Sequence, residues 1–159
     1  MGFCAVRRKR LFVLVSAALA GLLLFAGLAK PILVLEISSP PVLVPMAEGD
    51  LVVHTYLQSM YDAAVSERFR IEQRRFHLFH VMTDCEACLA YLGLARKDEP
   101  NVDLTFQEFG IPAASIGNHV IRIHGREIPL DTHEGRSGTI TVQLRQMSLF
   151  MYFLRLIRG

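Results

Sequence analysis

From residue 32 onward, apolar and polar positions alternate in short runs of the kind that a half-buried β-strand requires. Ile32 to Ile37 is a branched apolar run closed by Ser38-Ser39-Pro40-Pro41, and it suits a strand. Pro40, Pro41 and Pro45 with Glu48-Gly49-Asp50 mark a loop. Leu51 to Leu57 reads as a strand with Val53, Thr55 and Leu57 on one face and Val52, His54 and Tyr56 on the other. Val65, Glu67, Phe69 and Ile71 then alternate with Ser66, Arg68, Arg70 and Glu72, so Glu67 stands among apolar neighbours. Gln73-Arg74-Arg75 turns the chain into a strand over Phe76 to Met82.

Asp84 to Leu94 changes period. Asp84 can cap a short helix with Ala87, Cys88, Tyr91 and Leu92 at helical spacing and Gly93 near its end. Arg96 to Asn101 is a charged loop, and Val102 to Phe109 is a strand or an irregular edge. Residues 119–124 and 127–130 flank Gly125-Arg126 as a tight hairpin. Ile140, Val142 and Leu144 alternate in a last clear strand. The closing segment Ser148 to Ile157 is apolar but too short to span a bilayer. It suits a final strand packed on the domain or an amphipathic segment on a membrane surface. The expected architecture is mainly β: a small antiparallel sandwich or partial barrel with one short helix.

The N-terminus differs in kind. Arg7, Arg8, Lys9 and Arg10 precede Leu11 to Ala29, 19 residues without a charge. As a helix these extend roughly 28 Å, close to the ~30 Å hydrocarbon core of a bilayer. Lys30 and Pro31 close the segment. No polar stripe interrupts it, as a buried soluble helix would show. The expected plan is a basic cytoplasmic tail over 1–10, a transmembrane anchor (or uncleaved signal) over 11–30, and an extracytoplasmic domain over 31–159. The basic cluster stays inside by the positive-inside tendency. The stretch exceeds the ~7–15 residues of a cleaved signal's apolar region, which favours retention. Cys4 precedes the segment and no Cys follows it closely, which argues against a lipoprotein anchor.

This division changes the meaning of the charge. The chain of 159 residues has a formal net charge of +2. Five of its 17 basic residues and none of its 15 acidic ones fall in residues 1–30, so the remainder is mildly acidic. That removes the electrostatic footprint of a nucleic-acid binder. Three Cys are too few for a disulfide scaffold.

Candidate chemistry is sparse. Cys85-Glu86-Ala87-Cys88 is a CxxC at a helix start, where a thiol pKa is lowered. It is open to three readings: two small packed side chains, a structural or redox disulfide, or half of a metal site. For the last, His77 and His80 are expected on opposite faces of their strand. Covalent haem is excluded, because Leu89 rather than His follows the pair. Glu67, facing the core, must be neutral, paired or hydrogen-bonded. Ser59, His54 and Asp62 lie close together, but no G-x-S-x-G elbow surrounds Ser59. Neither a phosphate loop nor HExxH occurs. No catalytic constellation, resident metal or cofactor follows from the residues, so the expectation is a non-catalytic module.

Tyr56-Leu57-Gln58-Ser59-Met60 followed by Val65-Ser66-Glu67-Arg68-Phe69 resembles a pattern of the domain of unknown function 1850 family, Tyr-x-His-Ser-Val and then Val-x-Glu-x-Phe. Tyr91-Leu92-Gly93, Ile111-Pro112 and Gly117-Asn118-His119 are similar to further parts of it. The resemblance covers roughly residues 32–145. It implies a small membrane-associated protein that works with tripartite ATP-independent periplasmic (TRAP) transporters of the TAXI class. The expected partners are then the membrane and the transporter's membrane or solute-binding subunits. Gln58 stands where the family commonly has His, and the CxxC is not a family feature. The candidate binding residues are Tyr56, Gln58, Ser59, Glu67, Asn118 and His119. A small-solute binding domain would need Gln58, Ser59 and Glu67 to converge on one pocket. A membrane-tethered redox or metal protein using Cys85 and Cys88 is the alternative.

Overall fold

Period-two alternation selects strands here because each strand can bury one face and hydrate the other. The computed structural model describes residue 16, residues 19–94 and residues 102–158. Among these residues ten strands run in the order β1 (Pro31–Ser38), β2 (Pro41–Met46), β3 (Leu51–Gln58), β4 (Ala63–Glu72), β5 (Arg75–Met82), β6 (Leu104–Phe106), β7 (Glu108–Pro112), β8 (Val120–Ile123), β9 (Arg126–Pro129) and β10 (Thr139–Ser148). Helix α1 occupies residues 19–29, α2 Glu86–Tyr91 and α3 Leu149–Arg158.

The strands form two sheets, β2-β1-β10-β7 and β6-β5-β4-β3-β8-β9. Pairings are antiparallel throughout the second sheet, and in the first between β1 and β2 and between β10 and β7. Both contribute to one apolar core. Leu35, Ile37, Ile111, Ile140 and Val142 come from the smaller sheet; Val52, Val65, Phe69, Ile71, Phe76, Val81, Ile121 and Ile123 come from the larger. The chain is thus mainly β with two antiparallel sheets, as its alternation requires.

Several local expectations change. Pro41 to Met46 is a strand and not a loop: Pro45 pairs with Val34 at the edge of the smaller sheet, where a missing N–H faces no further strand. Val102 to Phe109 is divided between the sheets, with β6 on β5 and β7 on β10. The β8–β9 turn is His124-Gly125, both at positive φ (49° and 75°), which is the mirror-image turn that suits hairpin twist. Helix α2 is capped by Cys85 rather than Asp84; its sulfur accepts the Cys88 N–H at 3.1 Å. A register shift opposite Arg68/Phe69 inserts Phe79 as a bulge, so His77 and His80 both take the outward side, opposite Arg70 and Arg68. Among the described residues, no group of three or more His, Cys, Asp or Glu side chains could hold a metal ion. The charged loop Arg96 to Asn101 lies outside the described residues.

By contacts the chain divides into two units, Leu33–Arg145 and the pair of segments Met1–Ile32 and Gln146–Gly159. In the second unit, α1 leaves Leu22, Leu23, Leu24 and Phe25 each more than 60% exposed. Of the segment Ser148 to Ile157, Ser148 ends β10 and the rest is not a strand. It becomes α3, with Phe150, Phe153 and Ile157 on one side and Arg155 and Arg158 on the other; none of its residues is buried. The Leu149 N–H donates to the carbonyl of Lys30, so α3 begins where the apolar segment ends. Among the described residues no helix is long and apolar enough to cross a membrane. The basic cluster Arg7 to Arg10, Cys4 and the first part of the span predicted over Leu11 to Ala29 lie outside them.

Phe76 is fully buried and meets Phe69 edge-on, with ring centroids 5.9 Å apart. Replacing it with Ala should cost about 3–5 kcal/mol. Urea unfolding of the full chain in detergent, comparing Phe76→Ala with the exposed control Leu104→Ala, measures it.

Candidate functional site

The site grows from the register of one hairpin. β3 and β4 place His54 directly opposite Glu67, on the side that also buries Val52, Val65 and Phe69. Two residues along β3, Tyr56 shares this side. Glu67 Oε2 therefore receives His54 Nδ1 at 2.9 Å, while the Tyr56 hydroxyl donates to Oε1 at 3.3 Å. The inward carboxylate expected from the alternation is real, and it is satisfied by a hydroxyl and an imidazole.

The second half of the site arrives on the loop between β7 and β8. Gly117 O accepts the Leu57 N–H at 2.6 Å, and a Cβ on Gly117 would sit 2.3 Å from Leu57 O. Only glycine lets the loop approach the end of β3 this closely. Asn118 follows at positive φ (49°), and His119 then turns inward, buried. Its Nδ1 lies 2.9 Å from His54 Nε2, and its Nε2 lies 2.6 Å from Ser115 Oγ. The rings of His54, Tyr56 and His119 stack with centroids 4.9–5.2 Å apart, which holds their orientations.

The result is an unbroken chain from Ser115 through His119 and His54 to Glu67. Its polarity follows from donor counting. An ionised carboxylate only accepts, so His54 Nδ1 carries hydrogen. With both imidazoles neutral, His54 Nε2 accepts from His119 Nδ1–H, which leaves His119 Nε2 to accept from the Ser115 hydroxyl. Burial, then the neighbouring His54, lowers the His119 pKa from 6.5 to about 4, against an opposing pull from Glu67. His119 is therefore neutral at pH 7. Burial and then the Glu67 charge push the Tyr56 phenol above its usual 10.

The chain lines a cavity of about 390 Å³ together with Gln58, Tyr91 and the apolar Leu78, Phe106 and Phe109. No family model, curated protein or solved structure matches this protein.

Of the six candidate binding residues, Tyr56, Gln58, Glu67 and His119 converge on this cavity. Asn118 lines a different one of about 570 Å³, with Thr55, Ser66, His80 and Met82. Ser59 is exposed in the turn after β3 and lines neither, so of the three residues that a small-solute domain would need together, Gln58 and Glu67 share the cavity and Ser59 does not. Cys85 and Cys88 are joined in a disulfide, with Cys85 half-buried and Cys88 buried. Sequence reasoning missed His54 and Ser115 as site members. His54 was within reach, since it shares the face of Val52 and must meet whatever β4 turns inward. Nothing in the pattern marks Ser115, which a turn delivers: its N–H donates to Pro112 O.

Two outcomes follow. Below pH 6.5 the unfolded chain takes up a proton that folded His119 refuses until about pH 4. This contribution to stability is thus fully present above pH 6.5, falls as pH drops through that window, and levels off below it. The loss is on the order of 3 kcal/mol. Urea midpoints for the full chain across pH 4–8 should show this slope, and His119→Gln should flatten it. Gly117→Ala should destabilise by about 1–3 kcal/mol. It should also perturb the His119 ring resonances in an NMR spectrum, since Leu57 and the loop must separate.

Proposed function

We propose that this chain is a single-span membrane protein whose extracytoplasmic β-rich domain binds a small solute, as an accessory or interaction module of a TRAP-type (TAXI) solute transporter. The observation that carries the binding half is the 390 Å³ cavity, where four of the motif positions meet: Tyr56, Gln58, Glu67 and His119. A few convergent polar groups among apolar walls are what a small-molecule site requires. Burying His54, His119 and Glu67 together costs desolvation free energy that a purely structural core would avoid with apolar residues.

The membrane half is supported by the uncharged run Leu11 to Ala29 behind its basic cluster and by the exposed leucines of α1. It places the N-terminus in the cytoplasm and residues 31–159 outside. The disulfide suits such an oxidising compartment. The first residue of α3, Leu149, bonds to Lys30, where the proposed span would meet the interface, and the split of α3 into Phe150, Phe153 and Ile157 against Arg155 and Arg158 fits a surface-lying helix. The transporter assignment rests on the family resemblance of residues 32–145. The same Cys85–Cys88 bridge favours the alternative, a membrane-tethered redox protein. Thiol titration after equilibration in glutathione buffers separates the two: a structural bridge stays oxidised, whereas a redox-active one opens within the buffer range.

Solubilised from native membranes in mild detergent, the tagged full chain should bring down the membrane or solute-binding subunit of a transporter. A chain that migrates alone overturns the accessory role. Gln58→Ala should leave that complex intact while weakening solute binding by about tenfold, the scale of one lost hydrogen bond.

A further inference from the structure

We propose that Ser115 is a nucleophile for acyl transfer from small, uncharged carboxylic esters, with His119 as its general base. This goes beyond solute binding, and it rests on the reading that the cavity admits a small molecule. The relation of parts is that of nucleophile, base and orienting group. Ser115 Oγ lies 2.6 Å from His119 Nε2, His119 is oriented through Nδ1 by His54 at 2.9 Å, and His54 is oriented by Glu67 at 2.9 Å. The extra imidazole lengthens the path from base to carboxylate without breaking it. His119 is neutral at pH 7 and presents its Nε2 lone pair to the hydroxyl; its lowered pKa makes it a weak base, so the expected acylation is slow.

Ser115 is half-buried and faces the cavity, so the hydroxyl is reachable from the space a substrate would fill. Ser59, which lies close to His54 and Asp62 in sequence, is not the nucleophile, because it sits in an exposed turn outside this cavity. Ser115 takes the role from the far side of the chain.

Gln58 supplies a second observation. Its side chain lines the same cavity, is half-buried, and makes no hydrogen bond to another described residue. An amide N–H lining the same cavity as the nucleophile suits the carbonyl oxygen of a substrate, where negative charge develops on attack. The N–H of Ser115 is spent on Pro112 O and does not serve this purpose. The walls Leu78, Phe106 and Phe109 take an apolar acyl or aryl group, and the Glu67 charge at the end of the relay disfavours an anionic one.

In the forward step the Ser115 hydroxyl proton passes to His119 Nε2 while Oγ bonds to the ester carbonyl carbon. The tetrahedral oxyanion collapses, the carbon–oxygen bond to the leaving alcohol breaks, and His119 returns its proton to that alcohol. Water then attacks the acyl-serine with His119 again as base, releasing the carboxylic acid and restoring the hydroxyl. No oxidant, reductant or metal enters the balance.

The test uses the full chain in detergent with p-nitrophenyl acetate as probe. Nitrophenolate release should carry a burst, and intact mass should rise by one acetyl group, mapped by peptide fragmentation to Ser115. Ser115→Ala should abolish the acetylation, and His119→Gln should slow it by about 100-fold or more, the usual share of a general base. Both should retain a cooperative unfolding transition. Glu67→Gln, a positioning change, should lower the acetylation rate and shift its pH profile, which a merely structural role would not do. Acetylation confined to lysines, or an unchanged rate in His119→Gln, overturns the proposal. Binding of the unreactive analogue 4-nitroacetanilide without acetylation of Ser115 would leave the solute-binding reading standing and this one refuted.

Discussion

The inward carboxylate of Glu67 is the constraint around which the domain is arranged. A charged group on the core face of a central strand is tolerated only when every oxygen finds a donor. The register of β3 against β4 answers half of that need by setting His54 opposite and Tyr56 beside it. But His54 is itself buried and has a second nitrogen to satisfy. That need is met by His119, and the second nitrogen of His119 by Ser115. One inward charge thus commits two strands and a loop to a single arrangement.

The loop is held by features that have nothing polar in their side chains. Gly117 approaches the end of β3 more closely than any residue with a Cβ could, and its carbonyl closes onto Leu57. The aromatic contacts around it restrict ring rotation, with Phe69 and Phe109 stacked 5.1 Å apart behind the imidazoles. Site precision therefore comes from backbone packing and stacked rings, while the chemistry resides in a few atoms at its centre. The same division recurs in the unit formed by the two terminal segments. There apolar side chains remain exposed on α1 and α3, and a backbone bond from Leu149 to Lys30 ties the two segments together.

Much of the fold was legible, and the failures have local causes. Strands with clean alternation, such as Leu51 to Leu57 and Val65 to Ile71, were readable because one face is apolar. Pro45 misdirected the reading because proline signals a break in most contexts, and only its place on an edge strand makes it harmless. His77 and His80 changed faces because a bulge at Phe79 adds one residue, an insertion that period-two reasoning does not see. Within the site, Glu67 was legible as an anomaly, and His54 was legible only in hindsight, through its face.

By itself, the sequence determined the local and one-dimensional properties of this protein: an uncharged N-terminal run, the strand faces, and a carboxylate that had to be satisfied. These follow from periodicity and from the cost of burying charge, both of which act on neighbours along the chain. Tertiary structure alone decided that His54 and His119, 65 residues apart, share a hydrogen bond, and that Ser115 rather than Ser59 stands at the end of it. It decided too that Asn118 and His119, adjacent in sequence, serve different cavities. The physical reason is that hydrogen bonds reach about 3 Å in space without regard to separation along the chain. Only the pairing of sheets and the close passage of a glycine bring such atoms within that distance.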